Sequence, residues 1–192
     1  MIDTPLATVD QLAAYLQQPL AANDPSATLM LGIASAMVRD ELQQDLDYVA
    51  DDVVLLDPIN GAFLTLPQMP VTAVSMVEYW DLALTVPGWT TADPSTYTVS
   101  KRLGMLSLLP DLGVLWPTTP ESYRVTYSHG FNPIPNGLVG VCLGVAARTY
   151  STPAGAESER IGGYQVKYAM QADGFNPLEK VVLDRYRQGR IA

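Results

Sequence analysis

His129 is the one histidine of the chain, set in "SHG" at the end of a strand-like run, and acid–base chemistry would have to begin there. A catalytic imidazole needs a nucleophile on one side and an orienting acid on the other. No nucleophile motif accompanies it, so His129 reads as a structural or solvent-facing side chain. The acids of "DLDYVADDVVLLD", namely Asp45, Asp47, Asp51, Asp52 and Asp57, have the density of a calcium loop without its spacing. Val49 stands in the third ligand place and Ala50 in the glycine place. They read as a solvated helix end and turn. Gly137, Gly140 and Gly144 lie inside an apolar helical stripe and not between a strand and a helix, so they form no phosphate cradle. Lys180, Arg185, Arg187 and Arg190 fall near a helix C-terminus, where the helix dipole favours cations without any bound anion. No catalytic residue, metal site or cofactor is expected, and the chain does not read as an enzyme.

The bulk properties narrow the class further. With 192 residues, 48% of them apolar, the chain has material for a real core in one domain, or in one domain with an elaborate insertion. No cationic region opens "MIDTPLATV", so no signal peptide is expected. The longest apolar run, "LVGVCLGVAA", is too short for a bilayer core of about 30 Å. It holds the single cysteine, Cys142, which excludes an intrachain disulfide and fits assembly inside a cell. The net charge is −9 and unevenly placed. Residues 1–60 carry ten acids against Arg39, whereas seven cations face five acids from Arg148 onward. Tight nucleic-acid binding needs clustered cations and is not expected. An acidic surface suits DNA that passes without sticking.

Capping signals place the helices. Thr8 with Gln11 is a capping box ahead of Leu12, Tyr15 and Leu16, and Pro19 should end that helix. Asp24 and Pro25 start the next, with Leu29, Ile33 and Met37 in one row and Met30, Ala34, Val38, Leu42 and Leu46 in its neighbour. Between Val53 and Tyr127, β-branched and aromatic runs broken by proline and glycine predict four to six antiparallel strands joined by hairpins. In "VTAVSM" neither alternating set is cleanly apolar, which suggests burial on both faces. A third helix starts at Pro135 or Asn136 and buries Leu138, Val141, Cys142, Val145, Ala146 and Thr149. A fourth starts at Asn176–Pro177 with Leu178, Val181, Val182 and Tyr186 as its stripe. The fold expected is α+β, a bundle of about four helices with an antiparallel β-rich insertion between the second and third. Residues 1–150 form the helical core with its insertion at about 53–128, and 151–192 an extended arm and final helix. The segment between the last two helices is too long for an ordinary helix connection.

That segment, "ESERIGGYQVKYA" followed by "NPLEKVVLDRYR", resembles the closing signature of tailed-phage head-to-tail adaptor (head completion, connector) proteins. Ser158, Glu159, Gly162, Tyr164, Val166 and Tyr168 fall into the family's S-E-x-x-G-x-[YF]-[ST]-V-x-Y pattern, and Leu183, Tyr186 and Arg187 into its last helix. Gly163 stands where an acid is common, and Gln165 where a small hydroxyl is usual. Leu178 and Glu179 also stand closer together than the family's leucine and glutamate. Upstream, "VTYSHGFNPIPNGLVGVCLGVAARTY", "PQMPVTAVSMV" and the opening helix pair are similar to family elements in the same order.

The resemblance implies an architectural role, with no cofactor. The chain would be a virion protein of the neck, assembled in the host cytoplasm into a ring, expected to be twelvefold, beneath the portal protein. The ring would extend the DNA channel and dock the next neck or tail-completion protein, with no membrane involved. Ser158, Glu159, Ile161, Gly162, Tyr164, Val166, Tyr168, Leu183, Tyr186 and Arg187 would serve the subunit or portal interface, and Asp45 and Asp47 would be channel-lining acids. The alternating, strand-like run in "ESERIGGYQVKYA" sits on a tether with no neighbouring strand in sequence, and it would pair with an adjoining subunit's sheet edge. Another neck or tail-completion protein, a stopper or tail terminator, is the alternative.

Overall fold

The helices begin where side chains satisfy their first free N–H groups. The computed structural model describes residues 4–59, 63–109, 116–151, 158–161, 164–167 and 174–187. In α1 (Val9–Leu16), Thr8 accepts from the Gln11 N–H and the Gln11 side chain accepts from the Thr8 N–H, closing the capping box. In α2 (Pro25–Leu42), the Asp24 carboxylate accepts from Ser26 and Ala27 at 2.8 and 3.0 Å. Both helices end on a left-handed glutamine, Gln17 at φ 55° and Gln43 at φ 54°. The first therefore stops before Pro19 is reached. Next come α3 (Asn136–Ser151) and α4 (Pro177–Asp184), the latter capped reciprocally by Asn176 and Glu179.

The chain divides into two compact units, one drawn from Met1–Gln43 with Ile134–Gln188, the other containing Gln44–Pro133. The first is helical. Of the two rows read on α2, the structure buries Ala34, Val38 and Leu42 together with Ala27 and Leu31, and leaves Leu29 and Ile33 in solvent. On α3 the buried face is Leu138, Val141–Ala147, with Thr149 half-buried and its hydroxyl donated to the Val145 carbonyl. Gly144 is where α4 comes closest: a Cβ there would lie 2.6 Å from the Glu179 carboxylate. Gly137 admits Val182, whereas Gly140 faces open space.

The second unit is antiparallel β structure. Its strands are β1 (Val49–Leu56), β2 (Phe63–Thr65), β3 (Val71–Asp81), β4 (Gly88–Thr91), β5 (Tyr97–Ser100), β6 (Met105–Leu108) and β7 (Tyr123–His129). Seven strands among the described residues replace the four to six expected. They form one sheet in the order β1-β7-β3-β4 and another in the order β2-β6-β5. Only β3–β4 and β5–β6 pair as sequence neighbours, so a simple hairpin series is corrected to a sheet in which the last strand, β7, inserts between β1 and β3.

The ambiguous polarity of "VTAVSM" has a mechanical cause. The register of β3 against β7 shifts between Val71 and Ala73 and again between Val74 and Met76. Each bulge adds a residue and reverses the facing of everything after it. The strand is not buried on both faces: Thr72, Ala73, Ser75 and Met76 are exposed. Leu56, Leu64, Leu66, Val77, Leu106, Tyr123, Val125 and Tyr127 fill the core between the sheets.

Candidate assembly surface

The late signature folds into a hairpin. Strands β8 (Ser158–Ile161) and β9 (Tyr164–Lys167) pair antiparallel, Ser158 opposite Lys167 and Ile161 opposite Tyr164. The segment expected to lack a sequence neighbour therefore has one, and among the described residues the pair forms a sheet of its own. Ser158, Glu159, Ile161, Tyr164 and Val166 are brought onto these two strands; Gly162 and Tyr168 lie outside the described residues.

The remaining signature residues are on or just after α4. Leu183 is fully enclosed in the helical unit, Tyr186 is half-buried beside Gly137, and Arg187 pairs with Glu41 of α2. Glu179 ties the helix to α3. Arg148 of α3 donates to both its carboxylate oxygens at 2.7 and 2.9 Å, and also to the Gly174 carbonyl at 2.9 Å. Such a bidentate pair fixes direction as well as distance. The sequence reading missed Arg148, although Gly144, one turn before it on the same helix, was a hint of close approach. The outward row of α4 is Leu178 and Val181, both exposed.

The acids singled out in the sequence are dispersed to separate tasks. Asp51 accepts from the Ser75 hydroxyl at 2.6 Å, and Asp57 from the Glu121 N–H at 2.6 Å. Asp52 lies 3.2 Å from His129 Nε2. Asp45 is exposed and its N–H donates to Gln68, while Asp47 is partly exposed and bridges to Phe131. Among the described residues no group of three or more His, Cys, Asp or Glu could hold a metal ion.

His129 is buried on β7 and tilted over Tyr127, with ring centroids 5.0 Å apart. Gly130 follows at φ 88°, and a Cβ there would collide with the Asp47 backbone. Only glycine lets the strand end turn so tightly against the preceding chain. Cys142 is buried beside Ser35, Oγ to Sγ 3.4 Å, and burial pushes its thiol pKa up, so it is a packing residue and not a nucleophile. Among the described residues no helix is long and apolar enough to cross a membrane.

No family model and no curated protein matches the sequence. Solved structures do match the fold. A chain from the neck of a native GTA particle computed with C12 symmetry superposes with TM-score 0.57 at 17% identity, covering 96% of this chain and 90% of that one. A chain from the neck of an empty GTA particle computed with C6 symmetry gives 0.60 at 17% identity, over 97% and 92%. A chain from the virion of a native gene transfer agent particle gives 0.57 at 17% identity, over 97% and 94%. The α+β fold is thus one found, nearly end to end, in particle necks.

Proposed function

We propose that the chain is a structural neck protein of a tailed-phage type of virion, a ring of identical copies beneath the portal that continues the DNA channel toward the tail. The observation that carries this reading is the likeness over 96% or more of the chain to chains of particle necks. The order of signature segments along the sequence supports the adaptor position within the neck. Twelve copies is the number that the C12 neck suggests. The role is architectural and not catalytic, and it places the protein in the virion after assembly in the host cytoplasm.

Physical chemistry gives the hairpin its place in this scheme. In a two-stranded sheet each strand keeps one edge whose N–H and C=O groups have no ladder partner in that sheet, and a second copy's strand satisfies them. Ser158, Glu159, Ile161, Gly162, Tyr164, Val166 and Tyr168 are assigned to this contact. Leu183, enclosed as it is, holds α4 in its own subunit, with Tyr186 and Arg187 beside it, and Leu178 and Val181 face the portal. Asp45 and Asp47 rim the channel, where their charge keeps DNA phosphates moving past.

Negative-stain imaging of the full chain, with and without the isolated portal protein, tests the reading. A ring with a central hole on one face of the portal is the expected result. Binding to tail tube and not to portal would replace the adaptor with a tail terminator. Ile161→Asp should leave the subunit folded and abolish the ring.

A further inference from the structure

The chain that bears the hairpin leaves the helical unit and returns to it at two built points. It departs after Ser151, the last residue of α3, and comes back at Gly174, ahead of α4. Residues 152–157 and 168–173 connect these roots to β8 and β9, so the near end of each strand lies within about 25 Å of its root. At the return, Gly174 has φ 73°, and a Cβ on it would collide with the Met37 side chain of α2. Only glycine passes there, and Phe175 after it is enclosed.

One guanidinium joins the two roots. Arg148, in the last turn of α3, donates to the Gly174 carbonyl at 2.9 Å. It also donates to both carboxylate oxygens of Glu179, at 2.7 and 2.9 Å. Glu179 accepts the Asn176 N–H at 2.8 Å and gives its own N–H to the Asn176 side chain at 2.9 Å. The grip therefore reaches the cap of α4 as well as the point of return. Two residues on, Tyr150 donates to Asp24 at 3.1 Å, and Asp24 is the cap of α2. The last turn of α3 is thus tied on two sides where the hairpin segment departs. With its side chain 42% exposed, Arg148 supplies direction more than core packing.

We infer that Arg148 is a positioning residue for assembly: by holding both roots together it limits where β8 and β9 are presented to the next copy. The inference rests on the reading of the hairpin as the contact between copies. A tethered element whose two ends are held has fewer placements to lose on docking, and a preorganised contact forms at lower concentration. Lysine is a poor substitute in this role. Its ammonium is a point charge on a flexible stem, able to pair with Glu179 but lacking the planar fork that serves the carboxylate and the Gly174 carbonyl together.

Titration of the full chain onto the isolated portal protein, with rings read by negative-stain imaging, tests the assignment. Helical dichroism in urea is followed on the same variants. Arg148→Ala should lower the helical midpoint and need about tenfold more chain than the parent to give rings. At that higher concentration its rings should look like the parent's, whereas Ile161→Asp should give none. Arg148→Lys should recover most of the midpoint and little of the ring formation, and it decides alone if the alanine variant does not fold. Ring formation that recovers in step with the midpoint in Arg148→Lys, or that is unchanged in Arg148→Ala, would make the arginine a structural tie only. That result would overturn the assignment and leave the ring reading standing. No ring from the parent chain would end both.

Discussion

The two units close their cores by different means. The helical unit packs small residues, Ala27, Ala34, Ala146 and Gly144, so that helices approach closely, and then fastens its margins with polar bonds between distant parts of the chain. Arg148 holds Glu179, Arg187 holds Glu41, and Tyr150 donates to Asp24 at 3.1 Å. The β unit packs large rings instead. Tyr123 and Tyr127 are fully buried, Trp116 tilts against Tyr123 at 6.1 Å, and Tyr79 meets Trp116 edge on at 5.2 Å. Burial raises the phenol pKa of both buried tyrosines, that of Tyr127 to about 12. One unit is therefore sensitive to its latches and the other to its bulk.

All three tryptophans, Trp80, Trp89 and Trp116, lie in Gln44–Pro133, so fluorescence reports the β unit while far-ultraviolet helical dichroism reports the other. The largest effect expected is from Tyr123→Ala, about 3–5 kcal/mol from the cavity it leaves. It also loses the phenol bond to the Pro117 carbonyl, 2.8 Å long. Urea titration should show the fluorescence transition at a lower midpoint than the helical one. Equal shifts in both signals would erase the distinction. Leu138→Ala, fully buried on α3, should cost about 2–5 kcal/mol and move the helical transition instead.

A smaller change tests the latches. Arg148→Ala leaves the Glu179 carboxylate, nearly enclosed, with the Asn176 N–H as its remaining bond at 2.8 Å. An orphaned buried charge of this kind costs about 1–3 kcal/mol. Amide exchange should rise across Pro177–Asp184 and stay unchanged in α2. A rise spread evenly over the helices would mean that α4 belongs to the core and is not a latched edge.

The sequence was more legible in the helical unit, for a physical reason. Caps are local: Thr8, Asp24 and Asn176 each bond within three residues, so their positions are written in adjacent letters. Helix 3.6-residue periodicity survives small irregularities. Strand periodicity does not, since one bulge inverts a face, and β3 has two register shifts against β7. The insertion of β7 between β1 and β3 is a long-range choice no short window reveals. Of the assembly surface, the late extended segment was visible as alternation, but its fold-back on Ser158–Ile161 hid behind the assumption of a lone strand. The exposure of Leu82, Leu84 and Val86 was not legible, because exposure is a property of the turn's place in the sheet and not of its letters.

The smallest effect distinguishes the units by pH. Glu78 is nearly buried on the sheet, and its hydrogen bonds from Arg124, aided by that charge, hold its carboxyl below the ordinary value against the opposing desolvation. A carboxyl whose folded pKa is depressed binds its proton more readily unfolded than folded. Its contribution is therefore complete above about pH 4.5 and is lost as pH falls through the lower folded value. Fluorescence-monitored stability should decline with acid through that window, and Glu78→Gln should flatten the decline while lowering stability at neutral pH. The helical signal should keep its pH dependence in that variant, since Glu78 and Arg124 both lie within the β unit. An undiminished slope in Glu78→Gln would assign the acid sensitivity of the β unit to other carboxylates.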